Sequence, residues 1–163
     1  MMTTESPDTR AAGVTEPIFA EDIVVGHEFD LGSYPMTTKG ITSFAAQWDP
    51  LPLHLSEAAA AETTFGRLVA SGVQTLAVFQ RLCVLSVFVK WSIFAGRRFD
   101  DVRMLGPVYP GTTLYAGMIV RSVQHNHPSR SLVTCSGWIS DGNQNVLELV
   151  FECYVNRRSL TIV

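Results

Sequence analysis

An acid and a histidine lie five residues apart in the segment Asp49-Pro50-Leu51-Pro52-Leu53-His54. A neutral histidine accepts a proton, and a nearby carboxylate orients the imidazole or activates water itself, so this pair suits general acid–base chemistry. Because proline fixes φ, Pro50 and Pro52 are expected to hold both side chains toward one point. The spacing alone also allows a structural interpretation, in which Asp49 caps a turn and His54 is a half-buried loop residue.

A second chemical feature lies about twenty residues downstream, at Ser71-Gly72-Val73-Gln74. The pattern Ser-x-x-Gln is typical of a capping box that opens a helix. A helix N-terminus presents free N–H groups and a partial positive charge, and Gly72 would let a ligand approach closely. A carbonyl oxygen that becomes an enolate would be stabilised there, as in an oxyanion hole. Alone, Ser71 and Gly72 are explained by an ordinary capped helix; with the acid–base pair they indicate proton chemistry beside a thioester carbonyl.

Local signals predict the elements that position these residues. Thr38 can cap a helix over Gly40–Gln47, which must stop at Asp49 because Pro50 disfavours helical geometry in the residue before it. The segment 49–54 is then predicted to be an extended, stiff loop. A short helix capped by Ser56 is predicted over Glu57–Glu62.

The longest predicted helix, Gly72–Val89, is apolar on nearly every side and is therefore expected to be buried on nearly every side. A strand of about ten residues reaches ~33 Å, enough to curl around a helix of ~27 Å. We therefore predict an α+β hotdog fold, in which an antiparallel meander wraps around one central helix. The predicted strands are 28–37, Phe99–Met104, Thr113–Val123, Leu132–Ile139 and Val146–Val155.

Composition bounds the class of protein. The 163 residues suit a single domain and carry a net charge of −3, which argues against a nucleic-acid-binding protein. We predict a disordered tail over 1–17, one domain over 18–158 and a short tail over 159–163. No secretory signal is visible, and the most apolar segment is too short and polar to span a membrane, so we expect a soluble, cytoplasmic protein.

Two further sets of residues are candidate ligands. The three cysteines, Cys83, Cys135 and Cys153, have neither the count nor the spacing of a disulfide framework or a zinc site. His125 and His127 form an H-x-H pair without a third ligand nearby. We therefore predict no metal site.

Two stretches, Phe44–Leu55 and Phe65–Gly72, together resemble the hydratase motif of the MaoC-like dehydratases, the (R)-specific enoyl-CoA hydratases of the hotdog superfamily. The later run Leu105–Leu114 is similar to that family's K-P-V-x-x-G-D-x-L element, with Gly106 in place of the lysine. The resemblance covers the chain from about Phe19 to Arg158.

The resemblance implies hydration of a 2-enoyl thioester or dehydration of a 3-hydroxyacyl thioester. Asp49 and His54 would match the catalytic pair, and the Gly72 N–H would match the oxyanion donor. The acyl group would be carried as a thioester of coenzyme A or of an acyl carrier protein, and no metal or redox cofactor is implied. The chain would form at least a homodimer, with sheets joined side by side. Residues expected to contact substrate are Ser71, Leu51 and Pro52.

Two departures from the family pattern concern the substrate more than the reaction. Leu51 stands where the hydratases usually have Asn, and Ser71 stands where many members have His. Two other functions stay open at this point. One is a hotdog thioesterase, which would need a second carboxylate or an Asn near the helix start. The other is a non-catalytic acyl-thioester-binding or dimerisation module.

Overall fold

Five strands form one antiparallel sheet in the computed structural model, which describes residues 16–158. The order across the sheet is first, third, fourth, fifth and second strand. The predicted tails therefore fall almost wholly outside the described residues. The strands are β1 (Glu28–Pro35), β2 (Ile93–Met104), β3 (Thr113–Gln124), β4 (Arg130–Ser140) and β5 (Asn145–Asn156).

Four α-helices precede most of the sheet in the chain. The last helix continues directly into a π-helical turn, Val84–Phe88, in which the Val89 N–H donates to the Val84 carbonyl at 3.0 Å. A short 3-10 helix, Ala20–Asp22, lies ahead of β1. The α-helices are α1 (Thr38–Trp48), α2 (Pro52–Leu55), α3 (Glu57–Ala61) and α4 (Gly72–Cys83).

The core lies between α4 and one face of the sheet. Phe79 of α4 is fully buried and makes an edge contact with Phe151 of β5, their ring centroids 5.6 Å apart. Gly137 of β4 lets this ring approach, because a Cβ there would lie 2.2 Å from the Phe79 Cζ atom. The predicted α+β hotdog fold, an antiparallel sheet around a long helix, is confirmed. On β5 the alternation is as predicted, with five apolar side chains buried on one face: Leu147, Leu149, Phe151, Cys153 and Val155.

The sheet order corrects the predicted meander. Strands β3, β4 and β5 are consecutive neighbours, but β2 pairs with β5 at the far edge. Strand β2 also begins at Ile93, well before the predicted Phe99. The sequence could not show this, because β2 is polar or exposed along most of its length and its apolar alternation is weak.

The central helix also differs from its prediction. One side of it is open in the single chain, where Val73 is 54%, Leu85 55% and Val89 64% exposed. Burial on nearly every side was therefore the wrong expectation for one copy of the chain. Apolar side chains predict that a surface is covered, but they do not tell whether the same chain covers it.

No helix within residues 16–158 is both long and apolar enough to cross a lipid bilayer.

Candidate active site

The acid of the pair is placed by the end of α1. Thr37, rather than the predicted Thr38, caps this helix, since its hydroxyl accepts the Gly40 N–H at 3.0 Å. The helix ends with Asp49 as its C-cap, as predicted from Pro50. The chain then turns back on itself, and the Leu51 N–H donates to the Asp49 carbonyl at 2.8 Å.

The histidine is placed by a helical turn, which corrects the predicted extended loop. Pro52 occupies the first turn of α2, where the missing N–H of proline costs nothing because no partner exists for it there. His54 lies in the same turn and is only 8% exposed. Pro52 therefore acts by starting a helix that points His54 inward.

A backbone carbonyl fixes the protonation pattern of His54. Its Nδ1 lies 2.7 Å from the Val69 carbonyl oxygen, which can only accept a hydrogen bond. The hydrogen of the neutral ring is therefore on Nδ1, and Nε2 keeps its lone pair. That Nε2 lies 3.5 Å from Oδ2 of Asp49. The two predicted catalytic side chains thus meet, with a free basic nitrogen facing the carboxylate.

Ser71 connects the carboxylate to the start of α4. Its hydroxyl donates to Asp49 Oδ2 at 2.6 Å and accepts the Val73 N–H at 3.1 Å, while the residue itself is fully buried. The predicted reciprocal capping box is absent, because the Gln74 side chain donates to the Gly40 carbonyl at 3.2 Å instead. Ser71 contacts the acid, and a direct contact with substrate stays a prediction.

A cavity of about 350 Å³ lies beside His54 and the start of α4. Within residues 16–158 no acceptor faces the Gly72 N–H, which leaves it free at the helix N-terminus. Met104 of β2 covers Gly72 closely: a Cβ on that glycine would lie 3.2 Å from the Met104 Sδ atom. The lining residues besides His54, Gly72 and Met104 are Phe65, Val69, Ala70, Thr75, Leu105, Gly106, Pro107, Val108 and Val146.

The other predicted substrate contacts lie outside this lining. Leu51 is 51% exposed, and Pro52 is exposed as well. Two functional residues were not predicted from the sequence: Val69, whose carbonyl orients His54, and Met104, which covers Gly72. Val69 acts through its carbonyl, which any residue type supplies, so its identity carried no signal.

A second cavity of about 440 Å³ lies at the opposite end of α4, beside the π-helical turn. Its walls are largely apolar, and the buried carboxylate of Glu152 is paired with Arg97 and with Arg98, the latter at 3.2 Å. This cavity lacks a histidine. The charge of Glu152 is thus already compensated by two arginines, which indicates structural ion pairs.

The three cysteines, Cys83, Cys135 and Cys153, are buried as free thiols. Burial raises the pKa of Cys83 and of Cys153 to about 12, and it raises the pKa of Cys135 as well. His125 contacts the Ser131 hydroxyl at 2.7 Å, and His127 contacts that of Ser129 at 3.0 Å. No group of three or more metal-ligating side chains occurs in the described part of the chain.

Comparison with known proteins agrees with this geometry. The family described as MaoC like domain matches residues 22–136. The chain belongs to the MaoC-like dehydratase family. A MaoC-like dehydratase from Rhodospirillum rubrum is 31% identical, with a TM-score of 0.77 over 88% of this chain and 99% of that one.

Two further proteins are similar to this chain. The uncharacterized protein YdeM of Bacillus subtilis (strain 168) is 28% identical over 114 residues, which are 70% of this chain and 81% of YdeM. The (R)-hydratase from A. caviae involved in PHA biosynthesis shares the fold at 22% identity, with a TM-score of 0.68 over 84% of this chain and 98% of that one. The family and its hotdog fold are thus established for this chain.

Proposed function

We propose that this protein adds water to a 2-enoyl thioester, or removes water from a 3-hydroxyacyl thioester. One observation carries the proposal: Asp49 Oδ2 and the free Nε2 of His54 lie 3.5 Å apart beside a cavity that also borders Gly72. Membership of the MaoC-like family supports the same reaction class, and so does the fold that the chain shares with an (R)-hydratase. Coenzyme A or a carrier protein would hold the acyl group.

The first half of the proposed hydration is the attack of water. A water molecule held by Asp49 and His54 gives one proton to this pair while its oxygen forms a bond to C3 of the enoyl group. The π electrons of the C2–C3 bond move toward C1, and the thioester carbonyl becomes an enolate oxygen. The free Gly72 N–H at the start of α4 stabilises that negative charge.

The second half returns a proton. The enolate collapses, the C1–O double bond re-forms, and C2 takes a proton from the acid–base pair. Water has then been added across C2 and C3, and the pair ends in its starting protonation state. Dehydration runs through the same steps in reverse. The contribution of Ser71 is to hold the Asp49 carboxylate in place through its 2.6 Å hydrogen bond.

The lining of the cavity supports hydration over thioester hydrolysis. None of the lining residues carries a carboxylate or a carboxamide, and such a group would be needed to direct water at C1. Asp49, which accepts the Ser71 hydroxyl and lies 3.5 Å from His54 Nε2, is the carboxylate that the proposal assigns to attack at C3.

The open face of α4 supports association with a second copy. Apolar side chains are exposed both there and on the edge strand β2, where Phe94 is 58% and Phe99 48% exposed. Exposed apolar patches of this kind mark interaction surfaces. We therefore propose a homodimer or larger homo-oligomer with the sheets side by side, which light scattering on the purified chain would test.

The reaction is tested with crotonyl-CoA. Loss of the conjugated enoyl absorbance without thiol release is the expected result and reports hydration. Thiol release without hydration would replace the proposal with a thioesterase. Binding of the thioester with neither reaction would leave a non-catalytic acyl-thioester-binding module.

A further inference from the structure

An arginine stacked on a tyrosine lies beside the active-site cavity. The guanidinium carbon of Arg67 is 3.7 Å from the centroid of the Tyr109 ring. Arg67 is exposed and stands two residues from Phe65 and two from Val69, which both line the cavity. Tyr109 directly follows Val108, another lining residue. Arg67 and Tyr109 are therefore chain neighbours of residues that line the cavity, and the two segments that carry them, 65–70 and 105–109, are called the cavity rim.

A backbone hydrogen bond holds the two segments of this rim together. The Ala70 N–H donates to the Val108 carbonyl at 2.8 Å. On the other side, the Glu57 carboxylate accepts the Leu68 N–H at 2.9 Å, which fixes the residue next to Arg67. The backbone on both sides of the stacked pair is thus anchored, and the guanidinium is presented from an ordered base.

The guanidinium of Arg67 has no carboxylate within 4.0 Å in the part of the chain that the structure describes. Its N–H groups likewise have no hydrogen-bond acceptor there. Stacking on an aromatic face uses none of the five N–H donors, which point outward in the plane of the group. The adjacent arginine pairs of the sequence differ, because each member contacts a carboxylate: Arg97, Arg98, Arg157 and Arg158.

We propose that Arg67, stacked on Tyr109, binds a phosphate group of the molecule that carries the acyl thioester. The inference rests on the proposed function, since a thioester with its carbonyl at Gly72 must send its carrier arm out past the cavity rim. A planar guanidinium held at fixed orientation matches two phosphate oxygens at once. Both coenzyme A and the prosthetic group of a carrier protein supply a phosphate on that arm.

Kinetics with three crotonyl thioesters test the assignment: those of coenzyme A, 4′-phosphopantetheine and pantetheine, the last without phosphate. Arg67→Ala is expected to raise KM about tenfold for a phosphorylated substrate, leaving kcat and the KM for crotonyl-pantetheine unchanged. An effect with both phosphorylated thioesters assigns the pantetheine phosphate, and an effect with crotonyl-CoA alone assigns its nucleotide phosphates. An equal effect on all three substrates, or on none, overturns the inference.

Matched variants separate phosphate binding from a general loss of charge or structure. Arg121→Ala removes the same charge from β3, away from the rim, and should leave every KM unchanged. Tyr109→Phe keeps the ring and should behave as the wild type, whereas Tyr109→Leu should raise KM only for phosphorylated substrates. If Arg121→Ala raises KM as much as Arg67→Ala does, net charge explains the effect and the inference fails.

A binding measurement keeps the inference separate from the proposed reaction. Calorimetric titration with free coenzyme A needs no turnover. Affinity about tenfold weaker in Arg67→Ala than in the wild type supports the phosphate contact, even if no thioester is hydrated. Equal affinities, or no binding of coenzyme A to the wild type, overturn it whatever the reaction proves to be.

Discussion

Helix α4 borders one cavity at its N-terminal end and another at its C-terminal, π-helical end. The first is the smaller, at about 350 Å³ against about 440 Å³, yet it contains His54 and the free Gly72 N–H. The difference follows from helix polarity: the N-terminal end offers N–H groups that stabilise an enolate, and the C-terminal end offers carbonyls that would repel it.

The carboxylates beside the two cavities differ in how far their charge is compensated. Glu152 is 9% exposed and is paired with two arginines, so its charge is already compensated. The side chain of Asp49 is 27% exposed and faces a serine hydroxyl and a histidine, which leaves it able to hold water. Volume therefore says less about chemistry than the unsatisfied bonding capacity of the groups that line a cavity.

The largest expected effect is loss of the acid–base pair. Asp49→Asn and His54→Ala should each lower kcat for crotonyl-CoA hydration by about a hundredfold or more, since each removes a proton acceptor. The measurement is the absorbance assay on variants whose circular dichroism matches the wild type. Full rates in both variants would show that the acid–base pair is structural, which would erase the contrast between the cavities.

A smaller loss is expected for Ser71→Ala. Without the hydroxyl, the Asp49 carboxylate loses a charge-assisted hydrogen bond, and kcat should fall about tenfold with KM nearly unchanged. Ser71→Thr retains the hydroxyl and should restore most of the rate. A rise in KM with unchanged kcat would assign Ser71 to substrate binding, as expected from the sequence.

At the second cavity we expect a change in stability and none in rate. Glu152→Gln leaves Arg97 without a carboxylate and Arg98 with Asp100 alone, and it should lower the free energy of unfolding by about 1–2 kcal/mol. The control is Glu148→Gln, on the same strand as Glu152, which breaks a more exposed ion pair with Arg103 of β2. It should lower the free energy of unfolding by less than ~1 kcal/mol. Urea denaturation of each variant measures its free energy of unfolding. A tenfold loss of kcat in Glu152→Gln would give the second cavity a catalytic role.

The smallest expected effect is on the pH dependence of stability and on the reactivity of the buried thiols. Because burial raises the pKa of Cys83 and Cys153 to about 12 from an ordinary 9.0, unfolded thiols ionise before folded ones do. Their contribution to stability is present below about pH 9 and is lost as pH rises from 9 toward 12.

Native protein at pH 8 should resist a thiol reagent that labels all three cysteines in denaturant. Rapid native labelling of Cys153, which lines the second cavity, would instead reveal a reactive group there.

The sequence by itself determined the features that local chemistry controls. Pro50 ends α1 at Asp49, Ser71 opens α4 at Gly72, and alternation on β5 places its apolar face on the core. These signals act over about four residues, through backbone dihedrals, capping and side-chain periodicity. They sufficed to predict the fold class and to select the acid, the histidine and the glycine.

Only the tertiary structure decided how those residues meet. The Val69 carbonyl selects the tautomer of His54 from 15 residues away, and Ser71 holds Asp49 across 22 residues. The place of β2 beyond β5 brings Met104 over Gly72. Such contacts depend on strand register and on the packing of distant segments. No local pattern encodes them, because any residue supplies a carbonyl and many side chains would fill the same space.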